Sequence, residues 1–162
     1  MNTRMGLIVA LIFIIVLSGC STANQKYEDP PFSFNAKDVH GNSVSLKNDA
    51  PTIMYFMASW CPTCIGGERV LKEVNELYPK VQLVTIDVDP VTDTVESLTE
   101  FQKMYGGNWS HVLDEGQKIS KGYSVNRLEE MIVVDKDQEV VFRGTNPSLD
   151  ELKEALSSIG VK

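Results

Sequence analysis

The sequence predicts an α/β domain, and three observations carry that prediction. Thr52, Ile53, Met54, Tyr55, Phe56 and Met57 form an apolar run without Gly or Pro, which reads as a buried strand. It leads into Cys61 and Cys64 and then into Val70, Leu71, Val74, Leu77 and Tyr78, spaced as one face of a helix that stops at Pro79. Two further core strands follow, over 81–88 and 131–135, with helical spacing between them and after them.

The chain begins with a segment that does not belong to that domain. Arg4 precedes an apolar run over 7–17, and Ser18 and Gly19 put small residues before Cys20. This is the order of a secretory signal, and the run is short of the about 20 residues a bilayer span requires. Leu17, Ser18, Gly19 and Cys20 resemble the lipobox of bacterial lipoproteins, which implies a lipid-modified Cys20 after removal of residues 1–19. The alternative is an uncleaved anchor with an incidental cysteine; either way the domain is exported and held at a membrane. Residues 20–31 then read as a polar tether of on the order of 20 Å. The domain proper is expected over 32–162.

Within it, short alternating runs at 32–36 and 43–46 flank His40, Gly41 and Asn42 and predict a β-hairpin. Gly66 and Gly67 fall in the helix two residues past Cys64, where each costs about 1 kcal/mol relative to Ala. They signal either room for a partner's backbone or a flexible resolving cysteine, or else local fraying or close packing. Glu68 reads as favouring the helix start electrostatically. Asp87, Asp89, Asp93, Glu96 and Glu100 form an acidic run without the calcium-loop pattern, and read as a solvated face leading into a helix over 95–105. Trp109 is expected to wedge against the core, His40 to sit in a surface turn, and His111 to be structural. A short helix over 117–123, the hairpin 131–143 with its turn at 136–138, and a capped helix ended by Gly160 complete the chain.

The chemistry lies in Trp60, Cys61, Pro62, Thr63 and Cys64. Two cysteines three apart at a helix N-terminus can close and reopen a small disulfide ring, and the unpaired amides there favour a thiolate. Cys61 is the expected attacking thiol and Cys64 the resolving one. A structural zinc site needs four ligands, and only Cys20, His40 and His111 remain, none at ligand spacing, so no metal and no cofactor are expected. A purely structural role is disfavoured because so short a loop restricts the unfolded chain little. The formal charge of −7 argues against nucleic acid as a partner.

The strand, C-x-x-C, helix, strand, helix, hairpin, helix order resembles thioredoxin. With the N-terminal hairpin and longer central section it resembles the membrane-tethered extracytoplasmic TlpA/ResA oxidoreductases. The matching pieces are Trp60 to Cys64, Val112-Leu113-Asp114, Tyr123-Ser124-Val125 and Val133-Val134-Asp135. The resemblance implies a three-layer fold, a central mixed sheet flanked by helices with an extra N-terminal hairpin. It also implies a Cys61–Cys64 disulfide, Trp60 on the substrate-facing rim, and Pro62 and Thr63 tuning the ring. Three departures stand out: Glu129 aligns with the family's cis-proline, Tyr55 with thioredoxin's buried acid, and Arg69 with a helix-kinking proline. Glu129 or Glu130 is the candidate replacement acid, against the reading of either as a loop residue without a role.

The expected function is thiol–disulfide exchange at the outer face of a bacterial membrane. The partners are cell-envelope protein thiols and disulfides, a lipid anchor at Cys20, and an electron-donating membrane protein. The rival is a Sco-like copper carrier using the same two thiolates, although that family uses C-x-x-x-C and a later histidine, and none follows His111.

Overall fold

The computed structural model describes residues 32–162, so the signal, Cys20 and tether readings lie outside the described residues. Among the described residues seven strands and four α-helices follow one another: β1 (Asn35–Lys37), β2 (Ser43–Ser45), β3 (Thr52–Met57), α1 (Ile65–Leu77), β4 (Gln82–Asp87), α2 (Val95–Met104), β5 (Ser110–Leu113), α3 (Lys118–Gly122), β6 (Glu130–Val134), β7 (Val140–Thr145) and α4 (Leu149–Ser158). A five-stranded sheet runs β5-β4-β3-β6-β7, with β1 and β2 as a separate two-stranded hairpin. The β3–β4 and β4–β5 pairs are parallel, whereas β3–β6 and β6–β7 are antiparallel. This is the mixed, helix-flanked thioredoxin-like sheet the sequence implied.

β3 is the central strand, and all six of its residues are buried. Strand alternation then divides the core in two. Ile53, Tyr55 and Met57 pack with Cys61, Cys64, Leu71, Val74 and Leu152. Met54 and Phe56 pack with Val44, Ile86, Val112 and Tyr123 on the other face. The hairpin covers part of that second face, and its turn is held by the Asp38 carboxylate, which accepts from the amides of His40 (2.9 Å) and Asn42 (2.8 Å). Gly41 takes φ +83° there, a conformation open to glycine.

Helix ends follow their sequence signals. Thr94 and Ser97 form a reciprocal cap on α2, and Ser148 and Glu151 do so on α4. Gly160 turns left-handed at φ +81° just past α4.

One reading of charge needs correction. Glu68 does lie in the first turn of α1, and it is fully buried there. Asp87 and Asp93 are buried as well, so the acidic run is not a uniformly solvated face.

The paired glycines separate into two cases. A Cβ on Gly67 would lie 2.3 Å from Cζ of the buried Tyr55 ring, whereas one on Gly66 would meet nothing within 4 Å. Close packing therefore explains Gly67. We expect Gly67→Ala to destabilise by about 1–3 kcal/mol through overpacking. Gly66→Ala is expected to gain up to about 1 kcal/mol of helix propensity. Urea unfolding midpoints of the two variants should move in opposite directions.

Candidate active site

The loop after β3 delivers the cysteines to the start of α1. The Cys61 amide donates to the Ala58 carbonyl (3.0 Å), the Cys64 amide to Cys61 (3.2 Å) and the Gly66 amide to Thr63 (3.0 Å), winding the chain into the helix. Cys61 and Cys64 are joined as a disulfide with their Cα atoms 5.4 Å apart. Cys61 is 5% exposed and Cys64 is 0% exposed, so both are buried and only Cys61 retains any access to solvent. The Thr63 hydroxyl lies 3.4 Å from the Cys61 sulfur, and Pro62 and Thr63 form an exposed lip beside it. Trp60 is 55% exposed, and its indole N–H donates to Asp89 Oδ2 (2.9 Å). That bond holds the Asp89 carboxyl below the usual carboxylate range.

Under the ring, Tyr55 occupies the place aligned with thioredoxin's buried acid. Its hydroxyl donates to the Cys64 carbonyl (2.9 Å). Burial first, then the charges of Glu68 and Glu129, pushes this phenol far above its ordinary range, so it stays a donor at any physiological pH. Glu68 accepts from the Thr85 hydroxyl (2.7 Å) and lies 3.3 Å from His111 Nε2. Trp109 donates from its indole to Thr85 (3.0 Å) and stacks on His111. Trp109 and His111 are both buried, as expected, and His111, in β5, sits against Glu68.

The two glutamates of 129–130 have different surroundings. Glu129 is half-buried at φ +66°, its amide donating to Phe56 O (2.9 Å) and its carbonyl accepting from Asn146 (2.7 Å). The loop thus ties the start of β6 to the end of β3, and its charge reaches Tyr55. Glu130 stands opposite Phe56 in the β3–β6 register and shares its sheet face, away from the cysteines. It is ion-paired there with Arg143, which also donates to the Tyr123 carbonyl.

Sequence reasoning missed Glu68, Asp87 and Asp93. The signals were present: Cys64, Glu68 and Leu71 recur at helical spacing, and Leu83, Thr85 and Asp87 alternate along one strand face. Among the described residues no group of three or more His, Cys, Asp or Glu could hold a metal ion, and no helix is long and apolar enough to cross a membrane.

A family model described as Redoxin matches residues 23–159. The thiol-disulfide oxidoreductase ResA of Bacillus anthracis is 31% identical over 116 residues, covering 67% of this chain and 64% of that protein. The chain thus spans just under two thirds of that relative's length. ResA of Bacillus cereus is 28% identical over 168 residues, covering 90% of this chain and 93% of that one. Among solved structures, a thioredoxin-like protein from Aeropyrum pernix is 26% identical with a TM-score of 0.69, covering 78% of this chain and 89% of that chain. With its C-x-x-C ring at the mouth of a mixed sheet, this chain belongs to the redoxin family and has a ResA-like thioredoxin fold.

Proposed function

We propose that this protein is a membrane-anchored, extracytoplasmic thiol–disulfide oxidoreductase working through Cys61 and Cys64. The observation that carries the reading is the asymmetry of the disulfide pair: Cys61 keeps slight solvent access next to an exposed tryptophan, while Cys64 is fully buried. In the reduced protein, the Cys61 thiolate attacks one sulfur of a substrate disulfide. The other substrate sulfur leaves as a thiolate, and a mixed disulfide remains. Cys64, having lost its proton, then attacks the Cys61 sulfur, closes the 61–64 disulfide and releases the second substrate thiol. Two electrons pass to the substrate, and the same steps reversed oxidise a dithiol. The Thr63 hydroxyl is placed to donate to the thiolate, and amides at the start of α1 favour its charge.

The exposed Trp60 supplies an apolar surface next to Cys61 on which a substrate segment would rest. The substrates proposed are cell-envelope protein thiols and disulfides, with a membrane protein as electron donor. Cys20 would carry the lipid anchor. Glu129 is the better candidate for the acid near the ring, because its charge bears on Tyr55, whereas Glu130 is committed to Arg143.

Three outcomes are expected. Cys61→Ser should abolish insulin reduction, while Cys64→Ser should accumulate a mixed disulfide visible on non-reducing gels; turnover that survives both substitutions would end the reading. Replacing Cys20 by Ala should abolish incorporation of labelled palmitate and leave the leader uncleaved, seen as a slower band on gels. Removing a neighbouring negative charge favours a thiolate, so Glu129→Gln should speed iodoacetamide alkylation of Cys61 at pH 6.5 by roughly three-fold, the size of one solvent-screened charge. An unchanged alkylation rate would leave Glu129 a loop residue only.

A further inference from the structure

The densest polar cluster near the ring that exchange chemistry leaves unused is built around Ser59, two residues before Cys61. The Ser59 amide donates both to Asp87 Oδ2 (3.0 Å), at the end of β4, and to Asp93 Oδ2 (2.9 Å), just before α2. The Ser59 hydroxyl donates to Asp93 Oδ1. The Asp89 amide donates to Asp87 Oδ1 (3.0 Å), and the Ser97 hydroxyl lies 3.3 Å from Asp93 Oδ1. Trp60, next along, is fastened to Asp89. Two buried carboxyls, one ending β4 and one from the loop that follows it, thus hold the backbone that presents Cys61.

Two carboxylates converging on one amide, out of water, cannot both ionise cheaply. The charged and titratable groups around them offer little relief. Asp89, on the same loop, is engaged with Trp60, and Glu96 lies exposed in the first turn of α2. Asp114, after β5, donates its amide to the Asp87 carbonyl and spends its carboxylate on the Ile119 and Ser120 amides. Glu68 and His111 lie further along the same sheet face, and His111, the potential cation, faces Glu68. The Cys61 thiol is the remaining neighbour, and it titrates only in the reduced protein.

The geometry points to one proton shared between Asp87 and Asp93, which fixes the Ser59–Trp60 segment and so positions Cys61 for exchange. This role rests on the oxidoreductase reading and makes the two acids positioning residues. Burial, reinforced by the Asp93 carboxyl against the Asp89 and Ser59 amides, pushes Asp87 up to about 7. Its value in the fold lies above the ordinary 3.8, so the folded protein holds an extra proton between about 4 and 7, and its stability falls as pH rises through that window. Above it, two charges share the Ser59 and Asp89 amides and the Ser59 and Ser97 hydroxyls, and the clamp loosens.

The test uses the disulfide form first, in which no thiol titrates. The Ser59 amide and Trp60 indole resonances, followed by ¹⁵N NMR from pH 5 to 9, should shift together with a midpoint near 7. Asp87→Asn retains a donor toward Asp93 and should hold both resonances at their acid-side positions throughout; Asp87→Ala should hold them at the alkaline side. The second readout is exchange of the reduced protein with 5,5′-dithiobis(2-nitrobenzoate), which needs no natural substrate. The wild-type rate relative to Asp87→Asn should be near one at pH 6 and drop roughly ten-fold by pH 8.5, a loss that misplacing a reacting group readily produces. Asp93→Asn is the second variant should Asp87→Asn misfold. A flat Ser59 titration, or a midpoint that survives both Asn variants, overturns the shared proton. A rate ratio that does not change with pH overturns the positioning role. Failure of the oxidoreductase reading would appear separately, as absent insulin reduction beside an intact NMR midpoint.

Discussion

The site depends on the contact between Gly67 and the ring of Tyr55. A buried resolving cysteine at the very start of a helix requires the first turn of α1 to lie flat on the sheet, and a side chain at position 67 would lift it away. With no Cβ in the way, the Tyr55 hydroxyl reaches the Cys64 carbonyl and pins the turn from beneath. The placing of the helix start and the full burial of Cys64 follow from that approach. The cost of a helical glycine is about 1 kcal/mol, small beside what a misplaced cysteine would lose.

A second theme is the number of acids buried on the cysteine side of the sheet. Glu68, Asp87 and Asp93 all lie there with no lysine or arginine among their described hydrogen-bond partners. Thr85, Ser59, Ser97, His111 and main-chain amides meet their oxygens instead, except Glu68 Oε2, which is buried without a hydrogen-bond partner. Unpaired acids of this kind are costly to bury, and they cluster where protonation states matter to function. On the opposite face the one buried acid of β6, Glu130, has Arg143 beside it, the arrangement expected of a structural pair.

The strands, the helices and the redox ring were legible in the sequence because each is written in a repeating pattern. β3 is a solid apolar run, α1 shows its buried stripe in Leu71 and Val74, and the caps of α2 and α4 use Thr94 and Ser148. The buried acids were not legible, because charge was read as exposure when spacing said otherwise. Glu68 sits one helical turn after Cys64, and Asp87 shares a strand face with Leu83. Their partners, Thr85 and Ser59, come from other segments, and nothing local announces such a meeting. The loop at Glu129 was flagged by its missing proline, but only its bond to Phe56 shows how it is held.

The N-terminal hairpin changes what the sheet offers to its surroundings. The Val39 amide donates to the His111 carbonyl (2.9 Å), and Asp38 bridges to Val112, so the outer border of β5 has already met a piece of its own chain. A bare strand border would welcome another protein's extended segment as readily as its own. Here that invitation is withdrawn on the β5 side, which leaves main-chain pairing with visitors to the β7 border or to the loops around the sulfurs.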